Sequence, residues 1–116
     1  MFRILARGRL IGTSELEWRD GDMAVASGIF IPAADYDAVR NVFLLFTQAS
    51  GNTLAEASQE ALAAYYQARD ALELKLEASD HTPLETTWIH IVDWGGSVSA
   101  EIEIQAQIVD VSFWEQ

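Results

Sequence analysis

The stretch TTWIHIVDWGGSVSAEIEIQAQI, residues 86–108, decides the fold reading. Polar and apolar residues alternate on both sides of Gly95-Gly96, the period of two that a half-buried strand requires. Glycine accepts the positive φ of a primed two-residue turn, so Thr86–Trp94 and Ser97–Ile108 are predicted to form an antiparallel hairpin whose register that loop sets. Ile89 then faces Ile102, Ile91 faces Ala100 and Asp93 faces Val98, which makes that side the core side. On the other side Trp94 pairs with Ser97, Val92 with Ser99, His90 with Glu101 and Trp88 with Glu103.

This second side is the candidate binding surface: Trp88, His90, Val92, Trp94, Glu101, Glu103 and Gln105. Left in solvent, it is an aromatic patch with an acidic fringe, the mixture found at protein-recognition hot spots. A cross-strand His90–Glu101 pair contributes about 0.2–1 kcal/mol and titrates near neutrality. Covered by a strand, a helix or a second subunit, His90 is instead a structural histidine satisfied by a carboxylate. A catalytic version has Glu101 orienting His90 as a general base, with Trp88 and Trp94 stacking on an organic substrate. It lacks a nucleophile and a second acid, so no catalytic residue is assigned.

Working outward, Arg7-Gly8 and Asp20-Gly21 mark two earlier turns. The first joins Phe2–Ala6 to Arg9–Thr13, and the second joins Ser14–Arg19 to Asp22–Ile31, with Gly12 at a bend or bulge. Pairing across Asp20-Gly21 sets Trp18 against Met23 and Leu16 against Val25, an apolar face directed at the core. After Pro32 the period becomes helical: Tyr36, Val39, Phe43 and Phe46 recur at three or four residues, Asp35 is the N-cap and Gly51 the end. Thr53-Leu54-Ala55-Glu56 is a capping box opening a second helix with a narrow stripe of Leu54, Ala57, Ala61, Tyr65, Ala68 and Leu72. From Leu72 to Ala78 strict alternation signals a strand, Asp80-His81-Thr82-Pro83 a turn, and the shift to Val109, Val111 and Phe113 a bulge near Ile108. The expected fold is α+β: an antiparallel sheet in two three-stranded meanders, β-β-β-α-α-β-β-β, with two consecutive helices packed on one face. Residues 1–116 are read as a single domain.

The composition narrows function further. A net charge of −11 on 116 residues repels phosphate backbones and anionic lipid, so nucleic-acid and membrane partners are not expected and a basic protein partner is. Arg3, Arg7, Arg9 and Arg19 lie in the first hairpins, and no Lys or Arg follows Lys75. There is no cysteine, which excludes disulfides, thiolate nucleophiles and cysteine-held metal or iron–sulfur centres. G-x-S-x-G, G-x-G-x-x-G and the phosphate loop are all absent, and His81 and His90 lack the spacing that brings two imidazoles to one metal. No cofactor and no metal are expected. Neither the amino terminus nor the run Val42–Phe46 is long enough for a leader or a membrane span, so the expected location is cytoplasmic. Arginine over lysine and abundant alanine suggest GC-rich bacterial coding.

Gly28-Ile29-Phe30-Ile31-Pro32, followed by Tyr36 and Phe43, resembles a segment of small uncharacterised bacterial proteins in which a strand ends in proline and an aromatic helix begins. That resemblance implies no activity and no functional residues. The leading expectation is a non-enzymatic protein-binding module, specifically a bacterial immunity or inhibitor protein acting on a basic partner. The alternatives are a small-molecule-binding protein or enzyme with a pocket near the last hairpin, and a structural homo-oligomer.

Overall fold

The computed structural model describes residues 1–49, 59–93 and 101–115, with the backbone alone for residues 45–49 and 59–61. At the first turn Arg7 and Gly8 both take positive φ, 50° and 80°, which joins β1 (Phe2–Ala6) to β2 (Arg9–Ser14) as expected. The register shifts between Ile4 and Leu5, on the stretch opposite Gly12. A Cβ on Gly12 would lie 2.2 Å from the Phe30 ring, so its glycine is required by close approach.

The chain then leaves this sheet. Leu16 adopts a positive φ of 48°, a costly conformation for a leucine. The Ser14 hydroxyl accepts its backbone N–H at 3.0 Å, inside the core. Beyond this corner the chain enters a second sheet as β3 (Trp18–Asp20), which pairs with β4 (Val25–Ile29). Gly28 is where the corner crosses: a Cβ there would sit 2.8 Å from the Ser14 hydroxyl and 2.9 Å from the Leu16 Cα.

The β3–β4 turn differs from a two-residue Asp20-Gly21 loop. An Asp20 carboxylate oxygen accepts the N–H groups of Asp22 and Met23, and the loop runs over four residues, 21–24, with Ala24 at positive φ. Trp18 therefore opposes Ser27 and Asp20 opposes Val25. The side expected to meet the core points outward, and Trp18 is 55% and Met23 62% exposed. Leu16 reaches the core because its unusual φ turns the chain over.

After β5 (Ile31–Pro32), which returns to β2, a 3₁₀ turn covers Ala34–Ala38 and α1 covers Arg40–Ala49. The expected helix is thus split, and Asp35 lies inside the 3₁₀ turn, whose N-cap is Ala33 without a side-chain cap. Tyr36 and Phe43 are buried as their spacing predicts, and their rings stack at 6.0 Å. The expected capping box at Thr53 and the end at Gly51 lie outside the described residues. Helix α2 (Gln59–Ala71) buries Tyr65, with Leu72 just beyond its end, and leads into β6 (Leu74–Glu77), β7 (Pro83–Leu84), β8 (Thr86–Val92) and β9 (Glu103–Ile108). Instead of a strand continuing through Phe113, Asp110 caps the short α3 (Val111–Trp114) by accepting the Ser112 N–H. Phe113 is fully buried beneath the Arg19 guanidinium, 4.5 Å from its ring centre.

The architecture is α+β, with the strands divided between two antiparallel sheets, β5-β2-β1-β6-β7 and β3-β4-β9-β8. Each sheet draws strands from before and after the helices. Ile4, Ile11 and Leu76 of the first sheet share one core with Ala26, Ile89, Ile91, Ile104, Ala106 and Ile108 of the second. Among the described residues no helix is long and apolar enough to cross a membrane.

Candidate functional site

The second sheet has a buried face and an open one, and its ladders fix which residues share the open face. Three rows cross it: Asp20, Val25, Gln107 and Trp88; then Trp18, Ser27, Gln105 and His90; then Ile29, Glu103 and Val92. Side chains alternate across a strand, so Arg19, Ala26, Gly28, Ile89, Ile91, Ile104 and Ala106 take the opposite side. None of the outward positions on these four strands carries Lys or Arg.

The expected patch is therefore assembled on one face, but with different partners. His90 opposes Gln105 rather than Glu101, Trp88 opposes Gln107 rather than Glu103, and Val92 opposes Glu103 rather than Ser99. The ladder is displaced by four residues, an even number, which preserves the face of every side chain. Two anchors explain the displacement. Asp93 is fixed at the end of β8, and β9 takes its register from β4 as well as β8. Glu101 is exposed and lies outside the strands, while Trp94 and the Gly95-Gly96 turn fall outside the described residues.

At the β8 end, α2 reaches over this face. Tyr65 is fully buried, and its hydroxyl meets Nδ1 of His90. The guanidinium of Arg69, one helical turn on, lies 5.6 Å from the Tyr65 ring centre and 5.0 Å from that of Tyr66. Burial, aided by the Arg69 charge, lowers the His90 pKa to about 4. Burial raises that of Tyr65 to about 12, against the opposing pull of Arg69. At neutral pH the imidazole is neutral and the phenol keeps its proton. The expected titration near neutrality is thus displaced into acid, and the group that satisfies His90 is a tyrosine instead of Glu101.

Tyr66, Arg69, Trp88, His90 and Gln105 line an open cleft of ≈ 290 Å³ between α2 and this face. At the other edge, Trp18, Arg19, Asp20, Met23, Val25 and Ser27 border a groove of ≈ 350 Å³. The sequence directs Trp18 and Met23 at the core, and it singles out neither Tyr66 nor Arg69. The helical signal for the last two was present, because Arg69 follows Tyr65 by four positions and Tyr66 by three, the spacings that bring side chains together on a helix.

On the core side, at the end of β8, Asp93 is 1% exposed. One of its carboxylate oxygens accepts the Tyr36 hydroxyl at 2.7 Å and Nε of Arg40 at 3.0 Å. Burial and the neighbouring carboxylate push Tyr36 well above its ordinary range. This cluster ties the 3₁₀ turn and α1 to β8.

Comparison with protein-family models, curated proteins and solved structures gave no match.

Proposed function

We propose that the chain is a non-enzymatic protein-recognition module whose open, acidic sheet face docks a basic partner, as an inhibitor or immunity protein does. The observation that carries this reading is the pairing of exposed Trp18 and Met23 with outward carboxylates at Asp20 and Glu103, while the cation on these strands, Arg19, lies over the Phe113 ring. Tryptophan supplies a large contact area at little entropic cost, which suits a hot spot. The carboxylates steer a cationic surface toward the face, and the net charge of −11 adds to the long-range attraction. The same charges oppose self-association through this face, since two copies would set Asp20 and Glu103 against their own counterparts.

The test compares proteins captured from the native lysate by the wild-type chain, by Trp18→Ala and by an Asp20→Lys/Glu103→Lys double variant. The expected result is a basic protein retained by the wild type and lost in both variants, with Trp18→Ala costing about 2 kcal/mol of binding. Identical capture profiles from all three chains reject the reading.

A further inference from the structure

The cleft between α2 and the open face differs chemically from everything around it. The Arg69 side chain is only 17% exposed, yet its ion-pair partner among the described residues is Asp70 at 3.9 Å, a carboxylate itself 76% exposed. The guanidinium lies instead against the rings of Tyr65 and Tyr66. Among the described residues its charge therefore meets a carboxylate only in the long contact with the largely exposed Asp70, a loose pairing that an incoming anion can displace. Two further polar side chains line the same cleft. His90 lies directly opposite Gln105 across the ladder, and the Gln105 amide also donates to a Glu103 carboxylate oxygen at 3.3 Å. Trp88 and Tyr66 supply apolar walls.

We propose that this cleft binds a small, flat aromatic carboxylate, with Arg69 taking the carboxylate, the second amide hydrogen of Gln105 a further hydrogen bond, and Trp88 and Tyr66 the ring. The volume of ≈ 290 Å³ lies at the small end of ligand sites, roughly 300–1,000 Å³, and suits a ligand of one or two rings. The protein's overall negative charge opposes an anion at long range, but salt screens that repulsion beyond about 8 Å at physiological ionic strength. The bidentate contact inside the cleft is screened far less. Added salt should therefore leave this binding unchanged or tighten it, the opposite of its effect on a basic protein partner. The two readings consequently stand or fall separately.

The experiment titrates the isotope-labelled full chain with naphthoate and with its neutral isostere naphthamide, at low and high salt, following backbone and indole resonances. The expected result is saturable shifts centred on Trp88, Arg69 and Gln105, naphthamide binding about tenfold weaker, and naphthoate affinity no lower at high salt. Arg69→Gln should weaken naphthoate by a similar factor. Naphthamide serves as a second measurement that leaves the chain unaltered, should that variant fold poorly. Absence of saturable shifts, shifts mapping elsewhere, or equal affinity for acid and amide overturns the proposal.

Discussion

Two clusters on either side of β8 are built from the same parts and reach opposite ends. In each, a buried tyrosine precedes an arginine by four residues, Tyr36 with Arg40 and Tyr65 with Arg69, and the tyrosine hydroxyl reaches a residue at or near the end of β8. The acceptors, Asp93 and His90, are three positions apart and so face opposite sides of the strand. Asp93 is a carboxylate, and the Arg40 charge is cancelled where it stands. His90 is neutral above about pH 4, and the carboxylate that Arg69 meets among the described residues is that of exposed Asp70, at 3.9 Å. One change of side chain separates a closed structural tie from a cluster whose arginine is only loosely paired.

The comparison is broken most severely at Asp93. Its replacement by alanine removes the partner of the buried Tyr36 hydroxyl and should cost about 3 kcal/mol in urea unfolding; a loss below about 1 kcal/mol would make the tie dispensable. Next come the two hydroxyls. Tyr36→Phe deletes a hydrogen bond to a charged group and should cost about 1.5–3 kcal/mol, against about 0.5–1.5 kcal/mol for Tyr65→Phe, whose contact with His90 is to a neutral imidazole. Equal costs would contradict the difference in charge between the two acceptors.

Acid should separate the clusters without any substitution. The His90 pKa is depressed in the folded state, from an ordinary 6.5 to about 4, so between those values the unfolded chain binds more protons. The stability this contributes is complete above pH 6.5 and is lost as the pH falls toward 4. Melting temperature against pH should therefore drop less steeply over this window in His90→Gln than in the wild type. The smallest effect is expected at Arg69→Gln. Removing its stacking on two tyrosines should change stability by about 1 kcal/mol or less, so a much larger loss would show that Arg69 holds the fold together rather than serving a ligand.

How far these features were legible in the sequence depends on the distance over which each is decided. Alternation along Thr86–Val92 and Glu103–Ile108 identified the strands and placed Trp88, His90 and Gln105 on one face, because period two survives an even slip of register. The slip itself was not legible. Gly95-Gly96 and Asp20-Gly21 are strong turn signals, but Asp93 is pinned by Tyr36 from another element, and the Asp20 side chain organises a four-residue loop. Nothing near Leu16 announces that a leucine will take a left-handed conformation. The division into two sheets followed from that one residue, and with it the outward turn of Trp18. The partner of His90 was out of reach for a related reason. Periodicity placed Tyr65 on the buried side of its helix without saying which strand that side would meet.

The way the two sheets share strands across the helices has a consequence for how the protein acquires its structure. The amino-terminal half holds β1, β2, β3, β4 and β5, and the carboxyl-terminal half holds β6, β7, β8 and β9, so each sheet is completed only by joining both. The pairings of β1 with β6 and of β4 with β9 span most of the chain. Such long-range closure slows folding toward the millisecond-to-second range typical of β-rich topologies. It also makes assembly all-or-none: a chain cut between α1 and α2 yields two fragments that each carry unfinished edges of both sheets, and they regain structure only by combining.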